Sequence, residues 1–189
     1  MSVAQALPVH LSWTFADLEE LPDDGYRYEI IDGSLHVSPP PTPRHQSITH
    51  LLGVHLEEAL PDHLRVIPAA GVLRENVDET QYLIPDVLVV HAAAVTDEAK
   101  NLRPTDVLLA VEVVSPSSKT HDRVTKRDVY SRLGIPSYWL VDSKRPGAIL
   151  ALTLDPSGVY VPAAEAVGDE ELEVNQPFPM RISPAALFR

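Results

Sequence analysis

The sequence predicts an α/β fold in which a mixed β-sheet is flanked by helices and preceded by a β-hairpin. Two nearly continuous apolar runs, residues 84–91 and 107–114, are typical of strands that are buried on both faces. Segments with helical spacing of apolar residues lie on either side of these runs. An Asp32-Gly33 turn signal between two short segments predicts the hairpin.

The first elements are a short helix and the hairpin. Thr14 and Asp17 have the spacing of a capping box, which predicts a helix that stops at Pro22. The Asp-Gly turn joins residues 26–31 to residues 34–38, which predicts two paired strands.

The later elements alternate between helices and strands. A cluster of prolines at residues 39–43 predicts an extended connection. The predicted elements after it are a helix at roughly 44–60, a strand at 65–74, the two buried strands, a helix at 120–133, a strand at 137–142, a hairpin at 147–153 and 158–163, and a short helix at 183–188.

Length and composition exclude several classes of protein. The 189 residues fit one domain spanning residues 1–189. No apolar run approaches the roughly 20 residues of a membrane-spanning helix, and residues 1–13 lack the features of a signal peptide. The absence of cysteine excludes disulfides, zinc–thiolate sites and cysteine nucleophiles. We therefore expect a cytoplasmic protein without a membrane partner.

The net charge of −12 opposes generic binding of nucleic acid, because phosphate contacts need Lys and Arg. Residues 119–132 are an exception, with five basic residues against two acidic ones and hence a local charge of +3. Either a solvated helix face or a nucleic-acid interface would explain this segment.

Two acidic residues lie where an acid is costly. Glu112 is inside a buried strand, where an unpaired carboxylate would cost several kcal/mol, so it needs a cation or a raised pKa. Asp86 begins the other buried run directly after Pro85, and a turn role is the alternative to a functional one.

Lys126 shares a helix face with Val129 and Leu133, the side that should meet the sheet. It needs an anionic partner there, and Glu112 lies just upstream. A structural ion pair is one interpretation. The other is a site in which Asp86 and Glu112 hold Mg²⁺ or Mn²⁺ and the lysine orients a water molecule.

Histidine chemistry is not favoured. His45, His50 and His55 recur every five residues, so neighbours differ by about 140° around a helix and cannot share a metal ion. The zinc-protease, nucleophile-elbow, P-loop and dinucleotide-binding motifs are absent. We interpret His50 and His55 as ordinary helix residues, while the role of His45 stays open.

An ordered set of motifs runs from about residue 26 to residue 142. Its members are YEIIDG at 28–33, PRHQ at 43–46, PD at 85–86, EVVSPS at 112–117, Asp122, Lys126, Tyr130 and GIPSYWLVD at 134–142. In order and spacing the set resembles the Uma-two family of restriction-endonuclease-like bacterial proteins, within the PD-(D/E)XK nuclease superfamily.

The resemblance implies a restriction-endonuclease-like core and a metal site. Asp86 and Glu112 would bind the metal ion, with the carbonyl of Val113 as a further ligand. The superfamily lysine is expected two residues after the acid, where this chain has Val114. In this family the lysine is displaced to the following helix, which makes it Lys126.

The resemblance also implies accessory residues. Glu29 would be an acid near the metal, and Asp122 and Tyr130 would position the other groups. His45, at the start of its helix, is grouped with them. The strand alternation does not show whether Glu29 points inward.

Two hypotheses of function, from different classes of protein, are consistent with these features. The first is a Mg²⁺- or Mn²⁺-dependent endonuclease that hydrolyses DNA phosphodiester bonds as a homodimer. The second is a non-catalytic regulatory or protein-binding module on the same fold, whose acidic surface would suit basic protein partners.

Overall fold

The computed structural model describes residues 11–76, 79–115 and 121–188, which form three β-sheets and several helices. The strands are β1 (Arg27–Ile31), β2 (Ser34–Ser38), β3 (Leu64–Pro68), β4 (Val72–Glu75), β5 (Thr80–Leu83), β6 (Val87–His91), β7 (Val107–Val114), β8 (Ser137–Asp142), β9 (Ala148–Leu154), β10 (Tyr160–Val167), β11 (Leu172–Val174) and β12 (Met180–Ile182). Residues 1–10 and 116–120 lie outside the described ranges. The predictions that concern them, for the first residues of the chain, for Lys119 in the basic segment and for residue 120 of the predicted helix, therefore lie outside these ranges as well.

The described residues contain fewer helices than strands, and most of these helices are short. They are α1 (Phe15–Glu19), α2 (Pro43–Ala59) and α3 (Arg127–Arg132), with a π-helix at His121–Lys126 and 3₁₀ turns at Ala92–Ala94, Pro104–Asp106 and Pro184–Phe188. The Thr14 capping box and the N1 proline of α2 are both present. Among the described residues, no helix has the length and apolar character needed to cross a membrane.

The largest sheet has six strands in the order β10-β9-β8-β7-β6-β3. Its β7–β8 pair is parallel and the other pairs are antiparallel, which confirms the predicted mixed sheet flanked by helices. The predicted N-terminal hairpin is also present, and with β5 and β4 it forms a second sheet in the order β2-β1-β5-β4. Asp32 and Gly33 both have positive φ, as the tight turn requires.

Three predicted elements are corrected. The strand at 65–74 is wrong, because Ala69 adopts a left-handed φ of 48° and divides it into β3 and β4, which belong to different sheets. The strand at 84–91 begins only at Val87, since Pro85 cannot donate to a strand ladder. The helix at 120–133 is π-helical over its first described residues.

The six-stranded sheet has an apolar core on each face. Alternate residues of β7 face opposite sides, so Val111 and Val113 pack with α2, whereas Ala110 and Val114 pack with α3. Glu112 therefore projects into the core on the α3 side. The small β11–β12 sheet, which the sequence did not predict, covers the core on the α2 side.

The packing of α2 gives a test of the fold. Leu52, on the side of α2 that faces the sheet, is fully buried, while Val54 of the same helix is 42% exposed. We expect Leu52→Ala to lower the free energy of unfolding by about 2–5 kcal/mol, through lost burial and a residual cavity. The matched variant Val54→Ala should change it by less than about 0.5 kcal/mol. Urea unfolding measures both, and equal losses would contradict this placement of α2.

Candidate active site

The sheet brings the two predicted metal-binding acids to adjacent positions. Val87 pairs with Val111, so continuing the antiparallel register by one residue places Asp86 opposite Glu112. The backbone N–H of Val113 donates to Asp86 Oδ2 at 2.8 Å. Asp86 therefore lies where β6 has not yet begun, beside the end of β7.

Lys126 is buried between two glutamates. Its Nζ atom donates to Glu112 Oε1 and to Glu29 Oε1, each at 2.9 Å, and only 4% of the residue is exposed. The Tyr130 hydroxyl donates to the same Glu112 oxygen at 2.7 Å, and the Ile84 N–H donates to Glu29 Oε1 at 2.8 Å. The predicted burial of Lys126 against the sheet is confirmed.

The π-helix turns its polar residues towards this cluster. Asp122 and Lys126 are one π-helical turn apart, and both are buried. The Tyr138 hydroxyl donates to the backbone carbonyl of Asp122 at 2.8 Å, which anchors the turn to β8. A π-helix carries i→i+5 hydrogen bonds and is often found at functional sites.

Asp86 is held ionised by Arg27 and by its contact with His45. Arg27 Nη1 donates to Oδ1 at 2.8 Å, and His45 Nε2 lies 3.0 Å from Oδ2. Burial tends to raise the pKa of Asp86, but His45 and Arg27 outweigh it and lower that pKa to about 2. The carboxylate thus stays charged over the whole physiological range.

The pKa of Glu112 is shifted in the opposite direction to that of Asp86. Burial raises the pKa of this carboxyl to about 8, against the attraction of Lys126, and the charges of Asp86, Asp122 and Glu29 raise it further. Burial also acts against the charge of Lys126, yet Glu112 and Glu29 keep the pKa of that ammonium above its usual value. Burial and the neighbouring carboxyls thus act against the charge of Glu112, while Lys126 favours it.

The cluster lies in a cleft of about 710 Å³. Its described lining includes the cationic residues Arg27, Arg44, Lys126 and Lys144, and the proline loop at residues 39–41 forms one wall. Four acidic residues, Glu29, Asp86, Glu112 and Asp122, also line the cleft, so its Lys and Arg charges are balanced by acids, whereas the whole chain has a net charge of −12. The cleft is therefore less acidic than the chain as a whole, and its cationic side chains can contact a phosphate.

The oxygen donors fit a hard divalent cation. Asp86 and Glu112 supply carboxylates, and the Val113 carbonyl lies on the same side of β7 as the N–H that donates to Asp86. Within the described part of the chain, no three His, Cys, Asp or Glu side chains are grouped to hold a metal ion. Backbone carbonyl and water oxygens would therefore complete the coordination. The carboxyls of Glu29, Asp86, Glu112 and Asp122 all line the cleft around Lys126, and this concentration of oxygen donors fits a divalent cation.

The structure brings the predicted site residues into one cluster around the cleft. They are Glu29, His45, Asp86, Glu112, Val113, Asp122, Lys126 and Tyr130. Their roles in binding and catalysis stay predictions. His55 lies 3.7 Å from Glu58 on α2, as expected of an ordinary helix residue.

Sequence reasoning missed several residues of the cleft. Arg27 lies two positions before Glu29 on β1, so the strand alternation that brings in Glu29 also brings in Arg27. His36 and His121 meet at the cleft with ring centroids 5.1 Å apart. Lys144 follows β8 and gave no local signal, because only the folded sheet places it beside β7.

Comparisons with known proteins agree with this architecture. The family model Uma2, "Putative restriction endonuclease", matches residues 15–186. The chain is also similar to a crystal structure of "a putative nuclease belonging to DUF820" from Anabaena variabilis ATCC 29413, with a TM-score of 0.67 and 16% sequence identity. The alignment covers 93% of this chain and 97% of that chain, and at this identity the likeness is one of fold. None of the curated proteins matches the chain.

The raised pKa of Glu112 predicts a pH dependence of stability. The folded state keeps a proton on Glu112 that the unfolded chain releases above about pH 4.5, so metal-free protein should lose stability between about pH 4.5 and 8. Glu112→Gln cannot release a proton, and this part of the slope should vanish. Urea unfolding in EDTA across this range measures the difference from wild type. The same slope in both proteins would show that Glu112 is ionised throughout.

Proposed function

The chain belongs to the Uma2 family of restriction-endonuclease-like proteins, and we propose that it is a divalent-metal-dependent endonuclease that hydrolyses DNA phosphodiester bonds. The family description itself supports a nuclease-like function. The observation that carries the finer proposal is the buried Lys126 ammonium, which contacts Glu112 and Glu29 in a cleft that also contains Asp86.

We assign the metal site to Asp86, Glu112 and the carbonyl of Val113, and the ion to Mg²⁺ or Mn²⁺. Such an ion, when bound, polarises a phosphoryl oxygen and lowers the pKa of a bound water molecule. Arg27 and His45 keep Asp86 ionised and oriented. Tyr130 fixes one oxygen of Glu112, which leaves the other free of the Tyr130 and Lys126 contacts.

Lys126 is the candidate for the group that stabilises developing charge at the phosphate. Its ammonium is desolvated and held by two carboxylates, so little rearrangement is needed when a substrate arrives. Glu29 supports it by accepting from both Lys126 and the Ile84 N–H. Glu29 thus acts as a positioning residue for the lysine.

Arg27, Arg44, Lys126 and Lys144 give the cleft cationic side chains that can contact phosphates, which supports nucleic acid as the substrate, and we take DNA as the form cleaved. The acidic remainder of the chain should keep nucleic acid away from other surfaces. A homodimer stays a prediction from the family resemblance.

One observation favours the alternative of a non-catalytic module. Both oxygens of Asp86 already have protein partners, namely Arg27, His45 and the Val113 N–H. A closed network of this kind also describes a structural cluster with no metal ion. Metal binding by the wild type distinguishes the two functions.

We expect Lys126→Ala to lower the rate of DNA cleavage at least ~100-fold while metal binding is retained, because the lysine stabilises charge rather than holding the ion. The matched control is Lys100→Ala, which removes a lysine whose side chain is 80% exposed. The assay is nicking of supercoiled DNA in Mn²⁺ under single-turnover conditions. A full-rate Lys126→Ala enzyme would remove the assigned role.

Metal binding should stabilise the folded protein. At a Mn²⁺ concentration 100 times the dissociation constant, the free energy of unfolding should rise by about 2.7 kcal/mol. Asp86→Asn and Glu112→Gln should abolish the gain, whereas the exposed substitution Asp97→Asn should keep it. Thermal unfolding with and without Mn²⁺ measures this. A wild type with no gain at any Mn²⁺ concentration would favour the non-catalytic module.

A further inference from the structure

A second depression of about 500 Å³ adjoins the cleft at Asp86. Arg27, His45 and Asp86 line both spaces, so the two meet at one of the proposed metal ligands. The depression extends from there along the surface of α2 towards β3. A molecule whose phosphate lies in the cleft can therefore place its neighbouring group in the depression.

One face of α2 forms a wall of this depression. Thr49 and His50 each lie three or four residues from both Gln46 and Gly53, which places the four residues on the same side of the helix. Gly53 leaves open space on this face. A Cβ atom added there would come no closer than 3.8 Å to Val66 Cγ1, which is an ordinary contact.

The chemistry of the depression differs from that of the cleft. Its floor includes the apolar residues Val66, Pro68 and Val87, and its wall offers an amide, a hydroxyl and an imidazole. Away from Asp86, its charged lining is Glu57, whose carboxylate accepts from the Val66 N–H at 3.2 Å. An acid there disfavours a phosphate group. A flat, uncharged heterocycle with hydrogen-bonding edges fits such a lining.

We propose that this depression binds the nucleobase next to the cleaved phosphate, and that the substrate carries an unpaired nucleotide at this position. This assignment rests on the proposed nuclease function. A base inside an intact duplex is paired and stacked, so it cannot enter unless it is taken out of the helix. Single strands and mismatched sites offer such a base directly.

The test fills the depression without touching the proposed catalytic residues. Gly53→Leu extends a side chain into the space, and Ser47→Leu is the matched control, since Ser47 is exposed on α2 and lines neither space. Gln46→Ala, at an exposed position, is a second variant that should leave the fold intact. The readouts are the fluorescence anisotropy of a labelled single-stranded oligonucleotide and of its duplex in EDTA, and the cleavage of both in Mn²⁺.

We expect the wild type to bind and cleave the single strand at least ~10-fold better than the duplex. In Gly53→Leu this preference for the single strand should be lost. Gln46→Ala should weaken the preference, and Ser47→Leu should keep it. Equal treatment of both substrates by the wild type, with no effect of Gly53→Leu, would overturn the base site while any cleavage still supports the nuclease. Single-strand binding that Gly53→Leu abolishes, without cleavage by the wild type, would support the base site and overturn the nuclease proposal.

Discussion

Lys126 is buried between Glu112 and Glu29, and much of the structure around the cleft follows from the need to keep this ammonium compensated. A buried lysine without a carboxylate partner would be strongly destabilising. The π-helix brings Lys126 to the sheet, β7 supplies Glu112, and β1 supplies Glu29. The hydrogen bond from Tyr130 and the N–H of Ile84 then fix the two carboxylates.

The negative charges of this cluster are compensated only in part by its cations. This excess of carboxyls links the fold to the proposed chemistry. Asp86 is paired with Arg27 and contacts His45, but Glu112 shares its lysine with Glu29 and lies near Asp122. Burial and these neighbouring carboxyls raise the pKa of Glu112 above its ordinary value. A divalent cation bound by Asp86 and Glu112 would add positive charge to this part of the cluster.

Local sequence signals predicted those parts of the structure that local physics determines. The hairpin, α2, β7 and β8 followed from turn chemistry and periodicity, and the cost of burying Glu112 and Lys126 marked the site. The division between β3 and β4 depends on an alanine with positive φ, which has no sequence signal, and β11 and β12 are too short to show periodicity. Arg27 meets Asp86 across 59 residues, a contact that only strand pairing creates.

The most direct test is the position of Mn²⁺ in crystals of the protein, located by anomalous diffraction. We expect one strong peak between the carboxylates of Asp86 and Glu112, within bonding distance of the Val113 carbonyl, and we expect this peak to be absent from crystals of Glu112→Gln. Crystals that show no peak at this position, with the Lys126 and Arg27 contacts unchanged in saturating Mn²⁺, would contradict it.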